Sequence, residues 1–242
     1  MWVKVVGIGP GNTTELTLRA QATLKEAEIV LGYWRYLERL TPMLEGKRVL
    51  GFGMGEEFLR CRETLRLARE GWKVALVSGG DPGIYGMAGL LLEVAFREGI
   101  ADVVKVIPGV SAMNGAAAVL GAPIGNDFAV VSLSDYLTRW EEIRALLEVL
   151  AQTPLVLVLY NPGSSLRAHT FPGAMAILKK HRRPQTLVGI VRNVSLPEEV
   201  VILTTLGEAE HYTVDMHTIV IVGNEKTFMA NSYMVTPRGY RL

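Results

Sequence analysis

The chain has 242 residues, of which 49% are hydrophobic and 20% charged, which excludes a disordered chain and leaves room for one large domain or two modest ones. Its net charge of +1 gives no basic field that would argue for nucleic acid. A single cysteine, Cys61, rules out an internal disulfide and a cysteine-cluster metal site, and favours a reducing compartment.

No apolar run has the length of a membrane span, and Trp2–Val6 reads as a strand with no signal-peptide layout before it, so a cytoplasmic protein is expected. That strand runs into Gly7-Ile8-Gly9-Pro10-Gly11-Asn12, a glycine-rich turn. Asn12 with Glu15 has the form of a capping box, and Leu16, Ala20, Leu24 and Ala27 follow at helical spacing. A dinucleotide fingerprint needs a third glycine where Asn12 stands, and Pro10 intrudes, so NAD and FAD fit poorly. Ile29–Gly32 and Arg48–Gly51 read as strands, with a helix over Trp34–Leu44 between them. Phe58, Cys61, Leu65 and Ala68 mark the buried face of the next helix, which makes Cys61 a structural thiol and not a nucleophile.

Val74–Ser78 is an apolar, β-branched run that reads as a buried strand, and it breaks into Gly79-Gly80-Asp81-Pro82-Gly83-Ile84-Tyr85-Gly86. Glycines permit positive φ and close approach of a ligand to the main chain. Pro82 fixes its own φ and drives Asp81 towards an extended conformation. The loop has no lysine, so it is not a P-loop phosphate cradle. Its carboxylate suits a ligand with cationic or hydroxyl groups, unless Asp81 only caps a helix or holds the turn. A helix to Arg97 and a strand over Val103–Ile107 lead to a third strand-end turn, Pro108-Gly109-Val110-Ser111-Ala112. The repeated β-α pattern means a parallel sheet with right-handed crossovers, with the three turns on one edge where they can build a composite pocket.

Gly121–Asp127 has the composition of a linker or domain boundary. Beyond it the rhythm changes. Strands are expected at Phe128–Leu133, Leu155–Tyr160, Leu187–Val191, Val200–Thr204, Thr218–Val222 and Met234–Thr236, and helices at Trp140–Leu150 and Gly173–Lys180. Consecutive strands without helices between them imply a mixed sheet. The expected fold is α/β, with domains over residues 1–113 and 114–242 and the ligand site in a cleft between them. His169, His181, His211 and His217 lack metal-ligand spacing, and no Gly-x-Ser-x-Gly elbow is present. Lys179-Lys180-His181-Arg182-Arg183 ends a helix, where a solvated cationic terminus is a better reading than an RNA site without interleaved aromatics.

The three turns, in this order and at these separations, resemble the tetrapyrrole methylase family over essentially the whole chain. That resemblance implies two α/β domains and methyl transfer from S-adenosylmethionine. More specific segments are Gly115–Ser134, Tyr160-Asn161-Pro162-Gly163-Ser164, Met216-His217-Thr218 with Gly223-Asn224, and Met234–Tyr240. They are similar to the branch that methylates C17 of precorrin-3B, or its cobalt-containing equivalent, with contraction of the macrocycle in cobalamin synthesis. Carried over by position, the implied donor contacts are Gly9, Pro10, Gly79, Gly80, Asp81, Ile84, Tyr85, Ser111, Ala112, Tyr160, Asn161, Asn193, Val194, His217 and Thr218. At the Asn161 position many members have methionine. The resemblance also implies a homodimer acting on a small-molecule tetrapyrrole; the charge, hydropathy and histidine spacing above lead to an expectation of no nucleic acid, membrane or metal site.

Methyl transfer needs an aligned donor and acceptor in a dry site more than it needs acid–base help. Contraction of the ring shifts bonds within the substrate, and Asp127, Asp135 and His217 are candidates for proton transfer, with no spacing argument to choose among them. Arg139, Arg192 and Arg238 are candidate partners for substrate carboxylates. The rival readings are methylation of another tetrapyrrole carbon, RNA methylation, and non-catalytic nucleotide binding.

Overall fold

The computed structural model of the protein describes residues 1–164 and 167–241. Two compact units divide the chain, Met1–Ala112 and Met113–Leu242.

In the first unit, β1 (Trp2–Gly7), β2 (Ile29–Tyr33), β3 (Arg48–Phe52), β4 (Lys73–Ser78) and β5 (Val104–Ile107) form one parallel sheet in the order β3-β2-β4-β1-β5. The helices are α1 (Leu18–Glu26), α2 (Trp34–Arg39), α3 (Glu57–Arg69) and α4 (Met87–Arg97). Strand residues alternate between two cores. Val3, Val5, Val74 and Leu76 pack with α3 and α4, while Val6, Ala75 and Val77 pack with α1 and α2. The helix after β1 therefore covers one face and the helix after β4 covers the other, although β1 and β4 are neighbours. Their carboxyl ends form a topological switch point, where open α/β sheets bind ligands.

Local chemistry sets several boundaries away from expectation. Asn12 caps only a 3-10 turn, Thr13–Glu15, by accepting from Thr14 N at 2.9 Å. The cap of α1 is Thr17, whose hydroxyl accepts from Ala20 N at 3.1 Å. The helix expected over Trp34–Leu44 stops at Arg39, and Pro42 then sits in a separate 3-10 turn, Thr41–Met43. On α3, Cys61, Leu65 and Ala68 are fully buried as expected, but Phe58, in the first turn, is 55% exposed. Burial pushes the Cys61 thiol up to about 12, which fits a structural role.

The second unit opens at Met113, one residue into α5 (Ala112–Leu120), which leads to β6 (Gly121–Ala122). It continues through β7 (Phe128–Ser132), α6 (Trp140–Ala151), β8 (Val156–Tyr160), α7 (Thr170–His181), β9 (Leu187–Arg192), β10 (Val200–Thr205), β11 (Thr218–Val222), β12 (Phe228–Ala230) and β13 (Tyr233–Val235). Its main sheet is mixed, in the order β10-β9-β11-β8-β7: β7 and β8 run parallel and the other pairings are antiparallel. Val131, Leu157, Leu159, Ile190 and Val220 bury one face of it against Ile143 and Leu147 of α6 and Phe171 and Leu178 of α7. Leu120 of α5 lies against Gly189 on the opposite face. A small third sheet joins β12, β13 and β6. The segment read as a linker thus lies inside this unit, with Gly121 and Ala122 paired to Met234 and Val235.

The basic run at the end of α7 is not a free cationic surface. Lys179 pairs with Glu210 at 2.9 Å, and Lys180 and His181 share Glu148 at 2.9 and 2.8 Å. Arg182 turns inward and donates to the carbonyls of Leu150, Ala151, Thr153, Leu155 and Gly223 at 2.9–3.3 Å. Burial lowers its pKa to about 10, so it keeps its charge at neutral pH.

Candidate functional site

In the first unit the three strand-end turns meet. Gly9 and Gly80 form an antiparallel bridge across the switch point, with Gly9 N donating to Gly80 O at 3.2 Å and Gly80 N to Gly9 O at 2.8 Å. Both have left-handed backbone, φ +75° and +62°, which glycine adopts without penalty. The third turn closes against them. A Cβ on Gly7 would lie 2.6 Å from Gly109 N, and one on Gly109 would overlap Gly80 O. Asp81 ties the group together: Oδ1 accepts from Gly83 N at 2.8 Å and Oδ2 from Gly109 N at 3.1 Å. Its carboxylate braces two turns, and this is the turn-holding alternative that the sequence left open. Gly9, Pro10, Gly79, Gly80, Asp81, Ser111 and Ala112 are thus gathered at the carboxyl ends of β1, β4 and β5. Ile84 and Tyr85 close the second loop, where Ile84 N donates to Asp81 O at 3.3 Å and Tyr85 is 55% exposed with φ +51°.

Two residues on α2 that the sequence did not single out support these turns. Tyr36 lies over Gly79, where an added Cβ would come within 2.7 Å of its ring and 2.8 Å of its hydroxyl. Burial raises its phenol pKa, so the hydroxyl stays protonated. Arg39 reaches Pro10 O at 3.4 Å and stacks 5.7 Å from the Tyr36 ring. The available signal was positional: α2 follows β2 at the same sheet edge.

In the second unit the remaining positions line one edge of the main sheet. Register sets Asn161, after β8, beside the start of β11, and pairs Thr218 with Arg192 at the end of β9. Asn161, Asn193 and Ser195 all have left-handed backbone, with φ +51°, +53° and +61°. Three such non-glycine residues on one edge mark backbone strain of the kind that concentrates at functional sites. Asn161 Nδ2 donates to Ser132 Oγ at 3.0 Å, and Asn193 N to His217 O at 3.0 Å. Val194 is buried. The Tyr160 hydroxyl accepts from Met113 N at 3.0 Å, in the first turn of α5, so its oxygen is engaged in capping that helix.

Asp215, absent from the sequence-based candidates, organises the loop before β11. It accepts from His217 N at 2.8 Å and Thr218 Oγ1 at 2.9 Å, and pairs with Arg192 Nε at 2.8 Å. Burial pushes its carboxyl up, but those two hydrogen bonds and the Arg192 guanidinium outweigh it and hold the group below its ordinary value. The candidate substrate arginines are therefore not equivalent. Arg192 is committed to Asp215, and Arg139 lies in an exposed pair with Glu142 at 2.8 Å, while Arg238 lies near the C-terminus, after β13. Asp127 is exposed, and its carbonyl accepts from Val156 N at the start of β8, the sheet edge opposite Asn161. Asp135 is half-buried beside His169 and Arg167, at 3.1 and 4.0 Å.

The family profile of the tetrapyrrole (corrin/porphyrin) methylases matches residues 3–210. A probable cobalt-factor III C(17)-methyltransferase from Salmonella typhimurium is 41% identical over 99% of this chain and 100% of its own length. A cobalt-factor III methyltransferase from Priestia megaterium is 40% identical over 98% of this chain, which spans only 45% of that longer protein. The crystal structure of the methyltransferase CobJ superposes with TM-score 0.92 at 35% identity, covering 98% of this chain and 99% of CobJ. A uroporphyrin-III C-methyltransferase from Thermus thermophilus, solved with S-adenyl homocysteine, gives 0.70 at 28% identity over 92% of each chain.

Proposed function

The chain belongs to the tetrapyrrole (corrin/porphyrin) methylases, and we propose that it transfers a methyl group from S-adenosylmethionine to C17 of cobalt-factor III or precorrin-3B, with ring contraction, in cobalamin biosynthesis. The observation that carries the reading is similarity along the whole length of a relative named for that step, joined to the fused glycine turns at the switch point of the first sheet.

The turns suit such a donor. Glycine at Gly9 and Gly80 lets a ligand approach the main chain closely; their bridge uses both N–H groups and leaves each carbonyl oxygen a second lone pair. Asp81 uses two acceptor positions on Gly83 and Gly109, and a carboxylate has about four, which leaves capacity for ribose hydroxyls. Pro10, Ile84, Tyr85, Ser111 and Ala112 complete the proposed contacts in the first unit, and Tyr160, Asn161, Asn193, Val194, His217 and Thr218 those in the second. The donor supplies a methyl group on a sulfonium sulfur. This chain's residues bind and orient it, and the rigidity of the bridged turns keeps that geometry fixed.

Among the described residues no helix is long and apolar enough to cross a membrane, and no three His, Cys, Asp or Glu side chains converge as metal ligands. A homodimeric cytoplasmic enzyme follows from the same reading, and light scattering after gel filtration tests the dimer. The RNA reading rested on Lys179–Arg183, where Lys179, Lys180, His181 and Arg182 now have partners of their own. The deciding experiment incubates the protein with S-adenosylmethionine and either cobalt-factor III or precorrin-3B, following mass and optical spectrum. The expected result is a gain of one methyl group with one of them. No gain with either, under conditions where S-adenosylhomocysteine binds, overturns the assignment.

A further inference from the structure

The edge of the second sheet that bears Asn161, Asn193 and Thr218 also bears an imidazole–carboxylate pair that the donor contacts leave unused. Asp135 lies just beyond β7, and His169 immediately precedes α7. His169 Nε2 stands 3.1 Å from Asp135 Oδ2, and Arg167 Nε stands 4.0 Å from Oδ1. The carboxylate is thus shared by two partners, and its side chain is only 19% exposed. Arg167 is fixed in turn by Ser164 Oγ at 3.2 Å and by the Met216 sulfur at 2.6 Å. The Trp140 ring meets the imidazole edge-on, with centroids 5.7 Å apart and planes at 89°. His169 itself is 56% exposed.

This arrangement differs from an ordinary surface ion pair. The other imidazole–carboxylate contact of this helix, His181 with Glu148, sits at its far end among structural contacts of α6. At His169 a half-buried carboxylate fixes one ring nitrogen and a tryptophan fixes the ring plane, while the imidazole faces solvent. With Nε2 held at Asp135, Nδ1 is the nitrogen left to exchange a proton, the layout of an acid–base histidine oriented by a carboxylate.

The reaction creates a need for that group. When a methyl group leaves a sulfonium, the C–S electron pair stays on sulfur, and the new C–C bond takes its pair from the acceptor macrocycle. The macrocycle becomes one charge more positive unless it loses a proton. We propose that His169 Nδ1 accepts that proton, with Asp135 as the positioning residue for the imidazole. The inference rests on the methyl-transfer reading above.

The test is single-turnover methyl transfer, at saturating S-adenosylmethionine, to whichever of cobalt-factor III and precorrin-3B the wild type methylates, with S-adenosylhomocysteine affinity measured in parallel by calorimetry on the full chain. His169→Ala should slow transfer about 10²-fold while leaving that affinity within about twofold, and added imidazole should restore part of the rate. His169→Gln keeps the size and polarity of the site and should be as slow. Asp135→Asn should cost about tenfold and not respond to imidazole. A wild-type rate in either His169 variant overturns the inference, as does a slow alanine variant that imidazole leaves slow. A wild-type protein that binds S-adenosylhomocysteine but transfers no methyl group to either compound overturns the functional reading and, with it, this role for His169.

Discussion

Asp81 shows how a carboxylate that looks like a ligand group can be structural first. Both oxygens accept from main-chain N–H groups, one within its own loop and one in the third turn. Replacing it with asparagine keeps the shape but turns an NH2 towards one of those donors. The expected cost is about 1–3 kcal/mol of stability, read from urea unfolding. S-adenosylhomocysteine affinity should fall as well, because the third turn is released from the second. Unchanged affinity by calorimetry would show that the brace does not govern the donor site. Gly109→Ala tests the same contact sterically, since its Cβ would overlap Gly80 O. Separating the two turns should lower that affinity at least about tenfold, with a stability loss of about 1–3 kcal/mol. A Gly109→Ala variant that binds as tightly as wild type would mean that the junction has slack.

At the level of elements, polar side chains decide where the second unit holds together. Arg182 joins the end of α6, the start of β8 and the residue after β11 through five carbonyls. Arg182→Met fills the space but removes all five of those hydrogen bonds, and should cost about 2–4 kcal/mol, with Arg182→Lys recovering part of it. Asp215 makes a pH-dependent contribution. Its folded-state pKa is lowered, so its stabilisation is complete above about pH 4, the ordinary aspartate range, and is lost as pH falls through the lowered value. Asp215→Asn should therefore be less stable at pH 7 and lose less further stability between pH 5 and pH 3 than the wild type. Urea midpoints across that range check the sign.

These two residues also mark where the sequence stopped being readable. Strong apolar periodicity located the five strands of the parallel sheet and the longer strands of the mixed one, and the order of strand-end turns located the switch point. Short elements such as Gly121–Ala122 and β12 carry too few residues for a periodic signal, whereas the strand expected at Met234–Thr236 corresponds to β13 one residue earlier. Arg182 sits in a run of cations that reads as solvated, and only tertiary packing turns it inward. Asp135 and His169 are distant in sequence, and their pairing depends on β7 and β8 running side by side.

The whole molecule has cores that stay within each unit: Leu65 is fully buried between α3 and its sheet in the first, and Leu147 between α6 and its sheet in the second. The single cysteine makes this separation measurable. Cys61 is fully buried on α3 beside Leu65, and its thiol pKa, pushed up to about 12, leaves almost no thiolate at neutral pH. A thiol reagent can therefore reach it only when the first unit opens. Leu65→Ala and Leu147→Ala each remove a fully buried side chain and should each cost about 2–5 kcal/mol. Only the first lesion lies in the core that shields Cys61, so labelling in native buffer should accelerate for Leu65→Ala and stay near the wild-type rate for Leu147→Ala. Equal acceleration in both would mean that the two units open as one cooperative body, and a lesion in either would then expose both.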